Sequence, residues 1–258
     1  MGFLEEVIEY KRSLIKDLKS KKGELKEKVF SIKNSLDPFK FFDKKKVNII
    51  AEVKKSSPSL GLIRFVDVVE QARLYEMGGA SAISVLTEDK YFNGSLNDLR
   101  AIKENVKVPI LRKDFIIDEV QIYESKIYGA DLILLIVKIL EYEKLYDFIH
   151  ISKELGITPL VEVFNMYEAE KALKAGADCI GINNRDLVTL RVDLKVSEGL
   201  LPELKKLGVE KIVIESGIEG CEEIRRFYEL GANIFLVGTS LMKSDDPVKK
   251  LIELKSCV

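Results

Sequence analysis

Four short stretches share one pattern: GGASAI (78–83), YGADLI (128–133), AGADCI (175–180) and LGANIF (230–235). In each, a glycine closes a charged amphipathic segment and an apolar run follows. Glycine ends a helix by turning left-handed, and the small alanine beside it lets the chain swing into a strand. The pattern returns about every 50 residues, the span of two strand–helix units. Eight β-rich runs keep the same rhythm: NIIAEV (48–53), SAISVL (81–86), VPILRK (108–113), DLILLIV (131–137), TPLVEV (158–163), CIGIN (179–183), KIVIES (211–216) and NIFLVG (233–238). Between them lie segments long enough for helices, such as 66–77 and 141–155. Strands alternating with helices imply a parallel sheet with right-handed crossovers. A fourfold repeat of eight strands predicts closure into a single (β/α)8 TIM barrel. An open doubly wound sheet is the alternative. It would normally carry a Gly-rich nucleotide turn, and neither GxGxxG nor GxxxxGK before Ser or Thr occurs.

At 258 residues with 47% apolar side chains, the chain has enough material for one barrel core. Before the first strand, Leu4, Val7, Ile8, Lys11, Leu14, Ile15 and Leu18 fall on one face at helical spacing. Lys19 to Lys28 reads as a polar break, and Phe39, Phe41 and Phe42 as an aromatic cluster packed on something larger. The expected organisation is an N-terminal helical extension over 1–47 that caps a catalytic barrel over 48–258.

A net charge of −1 argues against nucleic acid or an anionic membrane as a partner. The Lys runs at 19–22 and 44–46 are flanked by acids and read as solvated faces. The longest apolar run, 132–137, is far too short to span a bilayer, and Glu5 and Glu6 stand where a signal peptide would be apolar. Three cysteines, Cys179, Cys221 and Cys257, are odd in number and far apart, which argues against a disulfide framework and for a reducing cytoplasm. One histidine and no CxxC pair argue against a zinc or haem site. The expectation is a soluble, monomeric, cytoplasmic protein with no metal and no cofactor. Lys-rich charge, glutamine only at 71 and 121, and no tryptophan match the composition of heat-adapted proteins.

Chemistry on such a barrel sits at the C-terminal ends of the strands. There stand Glu52 and Lys54, Thr87 and Glu88, Lys113 and Asp114, and Glu162. Asn183, Asn184 and Arg185 follow, then Glu215 and Ser216, and last Gly238 and Thr239. Any one of them alone is explained as a polar end reaching solvent. Two lysines and three carboxylates converging on one mouth would be costly to bury without a use. The opposite strand ends carry nothing comparable beyond the Gly-Ala turns. In IIAEVKKSSPS (49–59), alternation sends Glu52 and Lys54 to the same side, while Lys55 has the other parity.

ESGI (215–218) and VGTS (237–240) expose backbone N–H groups in the last two loops. TSLM (239–242) can start a short helix aimed at the mouth, the usual phosphate site of this fold. His150 falls inside a helix and reads as surface. Ser216 has neither a GxSxG elbow nor a His partner, which argues against hydrolysis by a serine nucleophile. Phe92, Phe115, Leu134 and Leu187 lie on or beside the mouth loops, and spacing alone fits core lid and pocket wall equally. The set suits acid–base chemistry on a small sugar phosphate, with a lysine kept protonated by carboxylates as proton donor.

The ordered motifs IIAEVKKSSPS, SVLTEDKYFNGS, PILRKDFIIDEVQIYES, GADLILLIVKIL, PLVEV, GINNRDL, ESGI and LVGTSLM resemble those of the indole-3-glycerol phosphate synthases of tryptophan biosynthesis. The resemblance runs from about residue 48 to the C-terminus, and the leading helix suits the N-terminal extension of that family. It implies ring closure of 1-(2-carboxyphenylamino)-1-deoxyribulose 5-phosphate with loss of CO2 and water, by a carbon–carbon lyase. It implies that Lys113 protonates the ketose carbonyl and Glu162 serves the dehydration. Glu52 and Lys54 would flank the reacting centre, with Lys54 meeting the anthranilate carboxylate. Asn183 and Arg185 would orient the substrate, with Glu215 and Ser216 on the far side. Ser57, Gly217, Gly238 and Thr239 match phosphate-binding positions, and Phe92, Phe115, Leu134 and Leu187 the aromatic-ring pocket.

Departures from the family pattern are small. Thr239 stands where the family varies, and Ser56 where many members carry Ala or Lys. The expectation is a free-standing enzyme rather than a fusion with a second barrel. Two rivals remain at the level of sequence. One is a class I aldolase with a Schiff base on Lys113, and the other is a barrel that binds a sugar phosphate without catalysis.

Overall fold

In the computed structural model, which describes residues 2–32, 35–58, 61–64 and 66–258, eight parallel strands close a barrel. Strand β1 (Asn48–Val53) pairs with both β2 (Ala82–Leu86) and β8 (Ile234–Val237), so the sheet has no free edge. Between these run β3 (Ile110–Lys113), β4 (Leu132–Ile136), β5 (Thr158–Val163), β6 (Cys179–Asn183) and β7 (Lys211–Glu215), in sequence order. The open sheet is thereby excluded. A short ribbon, Ser56–Ser57 against Gly61–Leu62, rises from the loop after β1.

Helices α1 (Phe3–Ser20) and α2 (Lys22–Phe30) precede the barrel. Around it lie α3 (Val68–Met77), α4 (Leu96–Lys103), α5 (Glu119–Tyr128), α6 (Tyr142–Glu154), α7 (Met166–Lys174), α8 (Lys195–Lys206) and α9 (Cys221–Glu229). The short α10 (Thr239–Lys243) and then α11 (Pro247–Lys255) follow β8. The repeated glycines do what the motif requires: Gly79, Gly129, Gly176 and Gly231 have φ of +83°, +92°, +89° and +99°. The alanine after each donates its N–H back to the helix it leaves, Ala80 to Tyr75, Ala130 to Ser125, Ala177 to Ala172 and Ala232 to Phe227. Gly156 and Gly208 make the same turn after α6 and α8, with Ile157 and Val209 in the place of alanine.

Outward strand residues such as Ile49, Ala51, Ile133 and Val161 form the main core under the helices. Inward residues, among them Ile50, Leu111, Leu132, Leu160 and Val213, fill the barrel itself. Its helix-return end is closed by Phe39 and Phe42, edge to face at 5.8 Å, with the Lys211 ammonium 3.8 Å from the Phe39 ring centre. Phe41 is exposed. That end is not bare, contrary to the sequence reading. Asp131 is buried there, ion-paired with Lys103, and accepts the Ile110 and Leu36 N–H groups.

Two further expectations need correction. Lys19 to Lys28 is mostly helical: only Lys21 interrupts, and α2 docks on α5, with Lys19 paired to Asp118 and Lys22 to Glu119. Cys221 and Cys257 form a disulfide, leaving only Cys179 free. A separation of 36 residues hid the pair, because the closed barrel brings the start of α9 to the end of α11, Cα to Cα 5.2 Å. The cysteines therefore no longer argue for a reducing compartment. Among the described residues no helix is long and apolar enough to cross a membrane, and His150 is exposed, stacked on Tyr146.

Candidate active site

The C-terminal strand ends open into a cavity of about 430 Å³, within the range of small-molecule sites. Parity explains what enters it. Glu52 follows Ile50, Lys113 follows Leu111, Glu162 follows Leu160, and Glu215 follows Val213, each two residues along an inward-facing run. Of the residues given a catalytic, substrate-orienting, phosphate or ring role above, all but Glu215 line the cavity. The Glu215 side chain is 1% exposed and lies behind Lys113, with Oε2 3.5 Å from Nζ.

The Lys54 ammonium is 2.7 Å from Glu52 Oε1 and 3.4 Å from Thr239 Oγ1, so it bridges the first and last strand ends. Lys55, of opposite parity, turns away to Asp98 at 2.8 Å. Asn183 Oδ1 accepts from Ser216 Oγ at 2.9 Å and from the Arg185 N–H at 2.9 Å. Arg185 in turn donates from Nη1 to the Leu190 carbonyl, which fixes the loop after β6.

Burial would strip the proton from Lys113, but Glu215, Glu52 and Glu162 outweigh it and hold the ammonium above its usual range. Burial raises Glu215 to about 8, since one lysine does not offset Glu162 and Glu52 beside it. Glu162 is also raised, by burial first, against the opposing pull of Lys113 and the Asn183 amide. Glu52 goes the other way: burial opposes its charge, yet Lys54, Lys113 and Arg185 keep it below the ordinary glutamate range. The site thus holds a firm proton donor, an ionised carboxylate and two carboxyls that keep protons easily.

Ser57, Gly217, Gly238 and Thr239 line the cavity as well. Ser216 and Gly217 both have positive φ, +65° and +83°, a conformation costly for serine and held here by its bond to Asn183. Gly238 precedes α10, and a Cβ on it would stand 2.4 Å from Glu52 Oε1. Phe92, Phe115, Leu134 and Leu187 line the cavity while packing into the barrel core. Pocket wall and core lid are therefore one surface.

The sequence model of the family described as indole-3-glycerol phosphate synthase matches residues 4–254. The chain belongs to the indole-3-glycerol phosphate synthase family. The indole-3-glycerol phosphate synthase of Aquifex aeolicus is 51% identical over 254 residues, covering 98% of this chain and 99% of the relative. That of Petrotoga mobilis is 43% identical, covering 98% and 96%. A solved 3-hexulose-6-phosphate synthase shares the fold alone, at 16% identity and a TM-score of 0.67, over 82% of this chain and 99% of its own.

Relative to an indole-3-glycerol phosphate synthase site read from motifs alone, the structure adds Phe3. This first residue of α1 lines the cavity, with its ring centre 5.1 Å from Tyr91 and 6.5 Å from Phe115. Its only signal was its place beside the apolar stripe of α1. Thr87 and Glu88 stand at strand ends but do not line the cavity, whereas Asp114 does. Glu88 instead accepts the Lys90, Tyr91 and Phe92 N–H groups and shapes the loop that carries Phe92.

Proposed function

We propose that this cavity closes the indole ring of 1-(2-carboxyphenylamino)-1-deoxyribulose 5-phosphate by lysine and glutamate acid–base chemistry, with the phosphate and the aromatic ring held at opposite sides. The observation that carries the reading is the Lys113 ammonium lining the cavity, 3.5 Å from Glu215 Oε2, with Glu52 and Glu162 lining the same cavity. As the ring carbon bearing the carboxylate attacks the ketose carbonyl, Lys113 gives that oxygen a proton. Departure of CO2 returns the bonding electrons to the ring. Loss of the new hydroxyl as water, with a proton taken from the methylene carbon beside the ring nitrogen, leaves the indole.

Glu162, with its raised affinity for a proton, suits the dehydration, where a group must give a proton to one atom and accept one from another. Glu215 behind Lys113 can take part in recharging that lysine. Glu52 stays ionised and orients Lys54. Because Lys54 also meets Thr239 Oγ1, it is placed to attract the phosphate as well as the carboxylate. Ser57, Gly217, Gly238 and Thr239 hold the phosphate, and the backbone of α10 helps through its N–H groups. Phe92, Phe115, Leu134 and Leu187 receive the ring, while Asn183, Arg185 and Ser216 orient the sugar.

A Schiff base on Lys113 would need the neutral amine, which three carboxylates disfavour. The test is fluorescence-detected indoleglycerol phosphate formation from the anilino-deoxyribulose phosphate. Activity should appear in the intact chain and fall at least about 10³-fold in Lys113→Ala, while inhibition by inorganic phosphate persists. Appreciable turnover in that variant, or a borohydride-trapped adduct on Lys113, would overturn the assignment.

A further inference from the structure

Helix α1 buries Leu4, Val7, Lys11 and Ile15 along one stripe. A lysine in the middle of that stripe is anomalous, since burying an ammonium is costly unless a specific partner meets it. The partner is Asp114, the residue after Lys113. Lys11 Nζ lies 2.6 Å from Asp114 Oδ1, and the two side chains are only 6% and 1% exposed.

The surroundings leave Asp114 little alternative. Its Oδ2 accepts from Thr87 Oγ1 at 2.7 Å and from Arg112 Nη2 at 3.0 Å. The rest of Arg112 is committed to Thr87, the Gln121 carbonyl, Ser125 and Glu124. Its Oδ1 has Lys11 and the Phe115 N–H, at 2.8 Å. One carboxylate therefore clamps the backbone on the far side of Lys113 and sets the residue that carries the Phe115 ring. Among the described residues, Lys11 is the one contact in that clamp that comes from outside the barrel.

We propose that Lys11 is a positioning residue for the reaction: through Asp114 it fixes the end of β3, and with it Lys113 and Phe115, so that the N-terminal helix sets the aim of the proton donor. The inference rests on the role given to Lys113 above. Placement errors of about an ångström cost up to about 10²-fold in rate, so the contact matters without touching substrate. Of the proposed phosphate cradle, Gly217, Gly238 and Thr239 follow β7 and β8, strands that do not pair with β3.

The test is a double-mutant cycle on kcat with Lys11→Met, Asp114→Asn and the pair, in the full chain at a temperature where each is folded. Lys11→Met should lower kcat about tenfold or more. The inhibition constant for inorganic phosphate should stay within about twofold, and the two losses should not multiply in the pair, because both act on one contact. Tyr10→Phe is the control. It breaks a different polar tie of α1, Tyr10 Oη to Asp89 at 2.6 Å, and should leave kcat unchanged. Wild-type kcat in Lys11→Met, independent losses in the cycle, or an equal loss in Tyr10→Phe would each overturn the inference. If Lys11→Met does not fold, Asp114→Asn decides by the same split between kcat and phosphate inhibition. If Lys113→Ala is inactive while Lys11→Met is not impaired, the positioning role alone has failed.

Discussion

Gly181 makes room for Glu215: a Cβ added to Gly181 would stand 2.1 Å from Glu215 Oε1. Both residues face inward on neighbouring strands, β6 and β7, with Gly181 paired to Val213 and Asn183 to Glu215. The glycine is thus a cavity in the barrel wall shaped for a carboxylate. The obstructed group is the end of a side chain, so Gly181→Ala should fold with Glu215 displaced toward Lys113. The expected result is a fall in kcat of about tenfold or more with a small change in melting temperature. Wild-type kcat would mean that the place of Glu215 has no bearing on the reaction.

Glu215 also gives a pH dependence of known sign. Its affinity for a proton rises from 4.5 to about 8 on folding, so the folded chain binds more protons than the unfolded chain between those values. Stability from this group is fully present below about 4.5 and is lost as pH rises toward about 8. Glu162, also raised, adds in the same direction, while Glu52 acts below its ordinary range. Glu215→Gln keeps the shape and removes the titration. Between pH 6 and 8.5, urea midpoints should fall more for the parent protein than for this variant, and equal slopes would refute the shift.

Phe3 joins the extension to the aromatic wall. Phe3→Ala removes its contacts with Tyr91 and Phe115 and opens the wall beside Phe92. Losing about 1–2 kcal/mol of ring contact should raise KM by about 5–30-fold, with kcat changed far less. A fall in kcat at constant KM would place Phe3 in the chemistry instead.

What could be read from the chain alone divides by range. Glu52, Lys113 and Glu162 were legible because strand parity and the Gly-Ala period are local signals with fixed geometry. Lys11 fell on the right helix face, but periodicity assigns a position and not a partner, and Asp114 lies on a strand far along the chain. Leu14 shows the reverse error: it fits the stripe by spacing yet is 45% exposed. That Glu215 would stand behind Lys113 rather than in the cavity depends on Gly181 one strand away. Contacts set by barrel closure leave no mark at any one spacing.

The disulfide is the longest-range of these contacts and the simplest to test. Cys221 opens α9, four residues past Gly217, and Cys257 follows α11, where the Cys257 carbonyl also accepts from Arg225 Nε at 2.8 Å. Closing a loop with a sequence separation of 36 contributes about 3–4 kcal/mol by restricting the unfolded chain, or roughly 5–15 °C in melting temperature for a chain of this size. In denaturant without reductant only Cys179 should titrate as a thiol, and all three cysteines should titrate after reduction. Reduced protein and the Cys221→Ser/Cys257→Ser variant should melt lower by the same amount, while kcat at low temperature stays the same, since the loops after β7 and β8 keep their own hydrogen bonds through Ser216 and Ser240. Identical melting of oxidised and reduced protein would show that the bond adds nothing to the fold.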